Sequence, residues 1–155
     1  MKLVSPDDPI LKQPLPTFDD SQLEDYGYKD RQKLSDDMFE FISKNGGIGL
    51  TANQIGMRLN MMVIGGHPSI ENGMKLTCFN PVIISTSAEQ VTMKEGCLSY
   101  PFLFFNIKRP RKVVVKYRDV DDKLQEGHLD GYMSRIFQHE YDHTEGKTML
   151  DKVSK

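Results

Sequence analysis

Cysteine is scarce in this sequence. Only Cys78 and Cys97 occur among 155 residues, too few for a disulfide framework and in keeping with a reducing cytosol where thiols stay available for metal or catalysis. Long apolar runs are missing as well. No segment approaches transmembrane length, and Met1 to Pro9 contains no continuous apolar stretch, so neither a membrane span nor an export signal is expected and the protein is expected to be soluble and cytoplasmic. Neither sign of charge dominates: 20 Lys and Arg are interspersed with 22 Asp and Glu, for a net charge of −2. No basic stripe therefore points to nucleic acid or to a membrane surface. Internal repeats and low-complexity segments are absent too. What remains is a chain with 38% hydrophobic residues, the size of one compact unit with one core, and residues 1–155 are expected to form a single domain.

Four prolines (Pro6, Pro9, Pro14 and Pro16) fall in the first 28 residues. They interrupt any helix there and predict an irregular arm wrapped around a core built by the rest. From Lys29 the pattern changes: Leu34, Met38, Phe41 and Ile42 recur at helical spacing and Asn45-Gly46-Gly47 supplies a stop, which predicts a helix of about four turns. Runs rich in β-branched and apolar residues at Met61–Ile64, Leu76–Ile84, Lys112–Tyr117 and Lys123–Leu129 read as strands, the last two joined across Asp119-Val120-Asp121-Asp122 as a hairpin. A final helix is expected from near Asp130 to Gly146, with Tyr132, Ile136, His139 and His143 on one buried face. Two helices among mostly antiparallel strands, arranged around that last helix, give an α+β fold.

That helix carries His139-Glu140-x-x-His143. Residues four apart on a helix are stacked neighbours, so both imidazoles can reach one ion while Glu140 stands beside it as a general base. Two histidines on a solvated helix are the plain alternative. A third ligand downstream would fit a zinc endopeptidase, but the position that would carry it is Met149, and Glu145 and Asp151 are poorly placed. An upstream ligand is required, with Cys78, Cys97, His67, His128 and several carboxylates as candidates. Cys97 stands out by its neighbours, with Gly96 allowing close backbone approach and Pro101 expected to end strand pairing. A closed structural zinc site of Cys78, Cys97, His139 and His143 is the non-catalytic alternative.

Three stretches, GIGLTANQ (Gly47–Gln54), EGCLS (Glu95–Ser99) and QHEYDHTEG (Gln138–Gly146), occur in an order and at a spacing that resemble the three motifs of peptide deformylases. The resemblance extends over the N-terminal arm and first helix, and so over nearly the whole chain. It implies that Cys97, His139 and His143 hold one divalent metal ion, ferrous iron by preference, with zinc, nickel or cobalt as substitutes. Three protein ligands leave a fourth position open, as catalysis requires. The implied reaction is hydrolysis of the N-terminal formyl group from N-formylmethionyl peptides, releasing formate. Glu140 takes the proton of the attacking water and hands it to the departing amine. The side-chain amide of Gln54 and the backbone N–H of Leu98 stabilise charge on the formyl oxygen.

The resemblance also implies that Gly47, Ile48 and Gly49 pair with the substrate as an extended strand. The methionine pocket is expected from Ile48, Tyr100, Tyr132, Ile136 and the ring of His139, although ordinary core packing is as good a reading for Tyr132 and Ile136. Phe102-Leu103-Phe104-Phe105 is read either as a wall along the peptide groove or as core, and Asp142 as a partner of Arg109, buried or on the surface. Four positions depart from the usual pattern: Thr51 in place of alanine, Thr144 in place of leucine, Phe104 where several bacterial members carry arginine, and Arg135 in place of an apolar residue, which predicts a more polar pocket rim. The chain lacks the long C-terminal helix of many members and in that is similar to compact phage-encoded forms. The partners implied are nascent formylated chains and the ribosome exit region, with no direct nucleic-acid or membrane contact and a monomeric state.

Overall fold

The computed structural model describes residues 1–153. Its first helix, α1 (Arg31–Asn45), starts where the Asp30 side chain accepts the Lys33 backbone N–H at 2.8 Å and stops where Gly46 turns left-handed at φ 70°. Leu34, Met38 and Ile42 form its buried stripe, the spacing that keeps apolar side chains on one face.

Among the described residues seven strands follow the helix and the arm: β1 (Gly49–Thr51), β2 (Met61–Gly65), β3 (Lys75–Thr86), β4 (Gln90–Cys97), β5 (Tyr100–Pro110), β6 (Lys112–Arg118) and β7 (Leu124–Asp130). Five of them form an antiparallel sheet in the order β1-β2-β3-β6-β7, and β4 pairs only with β5. The last helix, α2 (Gly131–Thr144), lies across β1 and β2. Strand alternation explains how one sheet serves two cores. Met61, Val63 and Phe79 join Leu34, Met38 and Ile42 on the α1 side, whereas Met62, Ile64, Cys78, Val113 and Val115 join Ile136 and Phe137 on the α2 side. β2 is buried along its whole length, as a central strand covered on both faces must be.

The N-terminal arm is more ordered than its prolines suggest. It makes two 3₁₀ turns, Pro9–Lys12 and Asp20–Tyr26, because Pro9 opens the first turn, where its missing N–H costs nothing, and Asp19 with Gln22 forms a capping box on the second. The arm buries Leu11, Leu15, Phe18 and Leu23. It is tied to the site elements by Val4 N–H to Gln54 O at 2.9 Å and Leu15 N–H to Thr144 O at 2.8 Å. Gly146 lies under it at φ 75°, so close that a Cβ there would come within 2.7 Å of the Gln13 carbonyl carbon.

The four anticipated strands are present, and β6–β7 form the expected hairpin. The β4–β5 hairpin and the short β1 were not anticipated. Pro101 does not end pairing: Cys97 pairs with Tyr100 and Gly96 with Phe104, so residues 101–103 bulge out and the ladder resumes. Among the described residues no helix is long and apolar enough to cross a membrane.

Candidate active site

The site is assembled by three elements. α2 presents His139 and His143, β4 ends on Cys97, and β1 runs beneath the helix. The ligating atoms of Cys97, His139 and His143 lie within 4.8 Å of one another, and Cys97 Sγ is 3.5 Å from His143 Nε2. Thiolate and imidazole ligands on a tetrahedral ion, with bonds of about 2.3 and 2.1 Å, would be about 3.6 Å apart. A soft sulfur with two nitrogens therefore fits a divalent transition metal. Cys78 takes no part. It is fully buried in the core between sheet and α2, where burial pushes its thiol well above the ordinary range, and among the described residues the group of donors close enough to share an ion does not include it.

Glu95 organises the donor group. Its Oε1 lies 3.0 Å from His139 Nδ1, leaving Nε2 to face the other donors. Arg109 donates to both Glu95 oxygens at 2.6 and 3.0 Å and to Asp142 Oδ2 at 2.8 Å, and Arg135 donates to Glu95 Oε2 at 2.6 Å. Burial alone would raise the Glu95 pKa, but the bonds to His139, Arg109 and Arg135 outweigh it and hold the carboxyl at about 2. A carboxylate that fixes the tautomer and ring plane of a metal-ligating histidine is the usual support of such a site. The Arg109–Asp142 pair forms as a buried contact, not a surface one. Arg135 does not line a pocket rim. Its guanidinium turns into this network and also satisfies the carbonyls of Ile107 and Val91, the only way a charge so buried is tolerated.

Beside these donors, Glu140 is buried on the β1 side. Its Oε1 accepts the Thr51 hydroxyl at 3.0 Å. A Cβ on Gly49 would come within 2.8 Å of Oε2, and that oxygen stands 3.9 Å from His139 Nε2. Burial raises the Glu140 pKa, offset in part by His139 and the Thr51 hydrogen bond, a shift in the direction useful to a proton carrier near neutral pH. Burial also lowers His143, with the charges of His139 and Arg109 adding to it. At His139 burial acts the same way but is outweighed by Cys97, Glu140 and Glu95, and its pKa is raised. Gln54 completes the group: Oε1 accepts the Thr51 N–H at 2.9 Å, while Nε2 donates to Ser99 Oγ at 2.9 Å and reaches Cys97 Sγ at 3.5 Å.

The remaining expected residues separate. Gly47 lies against Leu98, and a Cβ there would clash with Leu98 Cδ1 at 2.6 Å. Ile48 and Ile136 meet in the same apolar cluster under α2. Tyr132 is 38% exposed, because the helix becomes buried only from Ser134 onward and its first turn lies outside that cover. Tyr100 is buried and pairs with Cys97 across the β4–β5 bulge. Phe102, Leu103 and Phe104 are not core: they are 94%, 44% and 62% exposed. The Phe104 ring lies over Gly96, one residue from Cys97. The hydroxyl of Thr144, which stands in place of the usual leucine, is satisfied by the Tyr141 carbonyl at 2.6 Å.

Three residues were given no role from sequence: Glu95, Ser99 and Thr51. The first two lie inside the stretch that singled out Cys97. An acidic residue at an otherwise inward-facing strand position, Val91, Met93, Glu95, Cys97, was the signal available for Glu95.

An open three-donor metal group with a buried carboxylate beside it, on a helix packed against an antiparallel sheet, defines a metal-dependent hydrolase. Comparison with known proteins narrows this. The sequence model of the polypeptide deformylase family matches residues 1–155, and the chain belongs to that family. It is 38% identical over 151 residues to a peptide deformylase of Brucella suis, covering 96% of this chain and 81% of that one. To the chloroplastic peptide deformylase 1B of Oryza sativa it is 34% identical over 157 residues, which is 99% of this chain but 55% of the rice protein. Among solved structures, a plant peptide deformylase 1B superposes with a TM-score of 0.87 at 34% identity, over 99% of this chain and 80% of that one. A probable peptide deformylase of Synechococcus phage S-SSM7 superposes with a TM-score of 0.85 at 30% identity, over 97% and 98%. The family's reaction is removal of the N-terminal formyl group from nascent peptides, and family and donor group together imply a metal cofactor.

Proposed function

We propose that residues 1–155 act as one catalytic domain that hydrolyses N-formylmethionyl peptides, with Cys97, His139 and His143 holding ferrous iron and Glu140 carrying the proton. The convergence of the Cys97, His139 and His143 donor atoms beside the buried Glu140 carries this reading. When bound, the ion supplies Lewis-acid polarisation and lowers the pKa of water. The chain's own residues supply the rest. Glu140 accepts the proton of the attacking water and returns it to the leaving amine as the C–N bond breaks, giving formate and a free amino terminus. Gln54 Nε2 and the Leu98 N–H stabilise the charge that develops on the formyl oxygen.

Strand parity supports a docking mode for the peptide. β1 is an edge strand, and the Ile48 carbonyl accepts the Gly65 N–H at 2.8 Å. Along an extended chain, Gly49 then turns its N–H and C=O to the free edge. A peptide added there as a further strand would place its first side chain over Ile48 and Ile136, an apolar site suited to methionine. The exposed Phe102, Leu103 and Phe104 would border the residues that follow. On this reading the enzyme works as a monomer in the cytoplasm, on chains leaving the ribosome.

The test is formate release from formyl-Met-Ala-Ser by protein purified without oxygen and loaded with iron or nickel, beside Glu140→Ala. Release that falls by about 10²- to 10⁴-fold in the variant, at unchanged metal content, is expected. Folded, metal-loaded wild-type protein that releases no formate would overturn the proposal.

A further inference from the structure

Thr51 bears on Glu140 more directly than a packing residue does. Its fully buried hydroxyl lies 3.0 Å from Glu140 Oε1 and 3.0 Å from the Glu140 main-chain carbonyl oxygen. One hydroxyl hydrogen serves one strong bond at a time, and the carboxylate is the stronger acceptor when ionised. On the opposite flank, Gly49 leaves room for Oε2 that any Cβ would take. The two alternate residues of β1 therefore grip the carboxylate unequally, a donor on Oε1 and bare backbone at Oε2, and Oε2 is the oxygen turned toward His139 Nε2. The Thr51 N–H, for its part, holds Gln54 Oε1. One residue of an edge strand thus connects the proton carrier to the amide beside Cys97.

We infer that Thr51 is a positioning residue: its hydroxyl anchors Oε1 of Glu140 so that Oε2 alone faces the reacting water, in the rotamer that proton transfer needs. This rests on the reading of Glu140 as proton carrier. Without the hydroxyl the carboxylate keeps its burial but loses the one side-chain hydrogen bond it makes among the described residues, to Thr51, and is free to rotate. Misplacement of a reacting group on the ångström scale costs on the order of 10²-fold in rate.

Thr51→Val keeps the branched shape and removes the hydroxyl, and Thr51→Ser keeps the hydroxyl. With metal-loaded protein and formyl-Met-Ala-Ser, kcat of the valine variant should fall by about tenfold to a hundredfold, with KM changed by less than about twofold. The metal bound per chain should be unchanged, and the serine variant should recover most of the rate. Placed on Glu140→Ala, Thr51→Val should cause no further loss, since the group it positions is gone. If the valine variant does not fold, Thr51→Ala against Thr51→Ser carries the same expectation. Wild-type kcat without the hydroxyl, a serine variant as slow as valine, or an equal further loss in the Glu140→Ala background would each overturn the inference. A wild-type protein without activity would instead bring down the reading beneath it.

Discussion

Glu95 Oε1 lies 3.0 Å from His139 Nδ1, and the Arg109 and Arg135 guanidinium groups close on the same carboxylate. The orientation of one candidate metal ligand is therefore set by a buried ion network that spans β4, β5 and α2. The same contacts that hold β4, β5 and α2 together thus also orient the donor group.

Replacing Glu95 by Gln should weaken metal binding by about 10- to 100-fold, because the histidine loses its charged acceptor. It should also destabilise the metal-free fold by about 3 to 5 kcal/mol at pH 7, since two buried guanidinium groups lose their shared partner. The pH dependence has a definite sign. The Glu95 pKa is about 2 in the fold against an ordinary 4.5, so its contribution is fully present above 4.5 and is lost as pH falls from 4.5 toward 2. The difference of 2.5 corresponds to about 3 kcal/mol. Urea unfolding of metal-free wild type and Glu95→Gln should show the gap between them closing over that window. A gap that is constant with pH would contradict the assignment.

The two cysteines should behave oppositely. Cys97→Ser should reduce the metal retained after gel filtration to a small fraction of one per chain. Cys78→Ser should leave metal content unchanged and lower stability by about 1 to 3 kcal/mol, the cost of an unpaired hydroxyl in an apolar core. Metal loss in Cys78→Ser protein that remains folded would reinstate the closed-site alternative.

Gly146→Ala tests how the arm is fastened. The position combines φ 75° with a Cβ 2.7 Å from the Gln13 carbonyl carbon, so alanine adds backbone strain to a clash with the main chain. A loss of more than about 2 kcal/mol is expected, with accelerated proteolysis of the first 28 residues as the accompanying sign. Thermal unfolding within a degree of wild type would show that the arm moves aside without cost.

Phe104→Ser should leave kcat for formyl-Met-Ala-Ser within about twofold while raising KM several-fold for peptides with a large apolar residue after methionine. Uniform effects across both peptide types would remove the exposed aromatic segment from the binding surface.

How much of this was legible in sequence depends on the range of the interaction concerned. The α1 stripe of Leu34, Met38 and Ile42 and the Gly46 stop follow from 3.6-residue spacing and backbone chirality. So does the pairing of His139 with His143 on one helix, since that helix's own geometry joins them. β1 was missed because three residues carry too little pattern. β4 carries a period of two, Val91, Met93, Glu95, Cys97, but a carboxylate occupies one of its inward positions, which hides the alternation until Arg109 and Arg135 are seen to meet it.

Arg135 and Tyr132 mark the boundary. The first was expected at a pocket rim and the second in the pocket; Arg135 turns to Glu95, and Tyr132 is exposed on the first turn of α2. Where a long side chain goes depends on what the neighbouring elements offer to its polar end, and that is settled by register and by the crossing of α2 over the sheet. The sequence by itself determined the donor types, the helix that carries two of them and the family to which the chain belongs. Tertiary structure alone decided that Arg109 and Arg135 meet Glu95 behind His139 and that the Thr51 hydroxyl meets Glu140. Those contacts join β4, β5 and β1 to α2, segments far apart in the chain, and only strand register and the packing of α2 on the sheet bring their polar ends together.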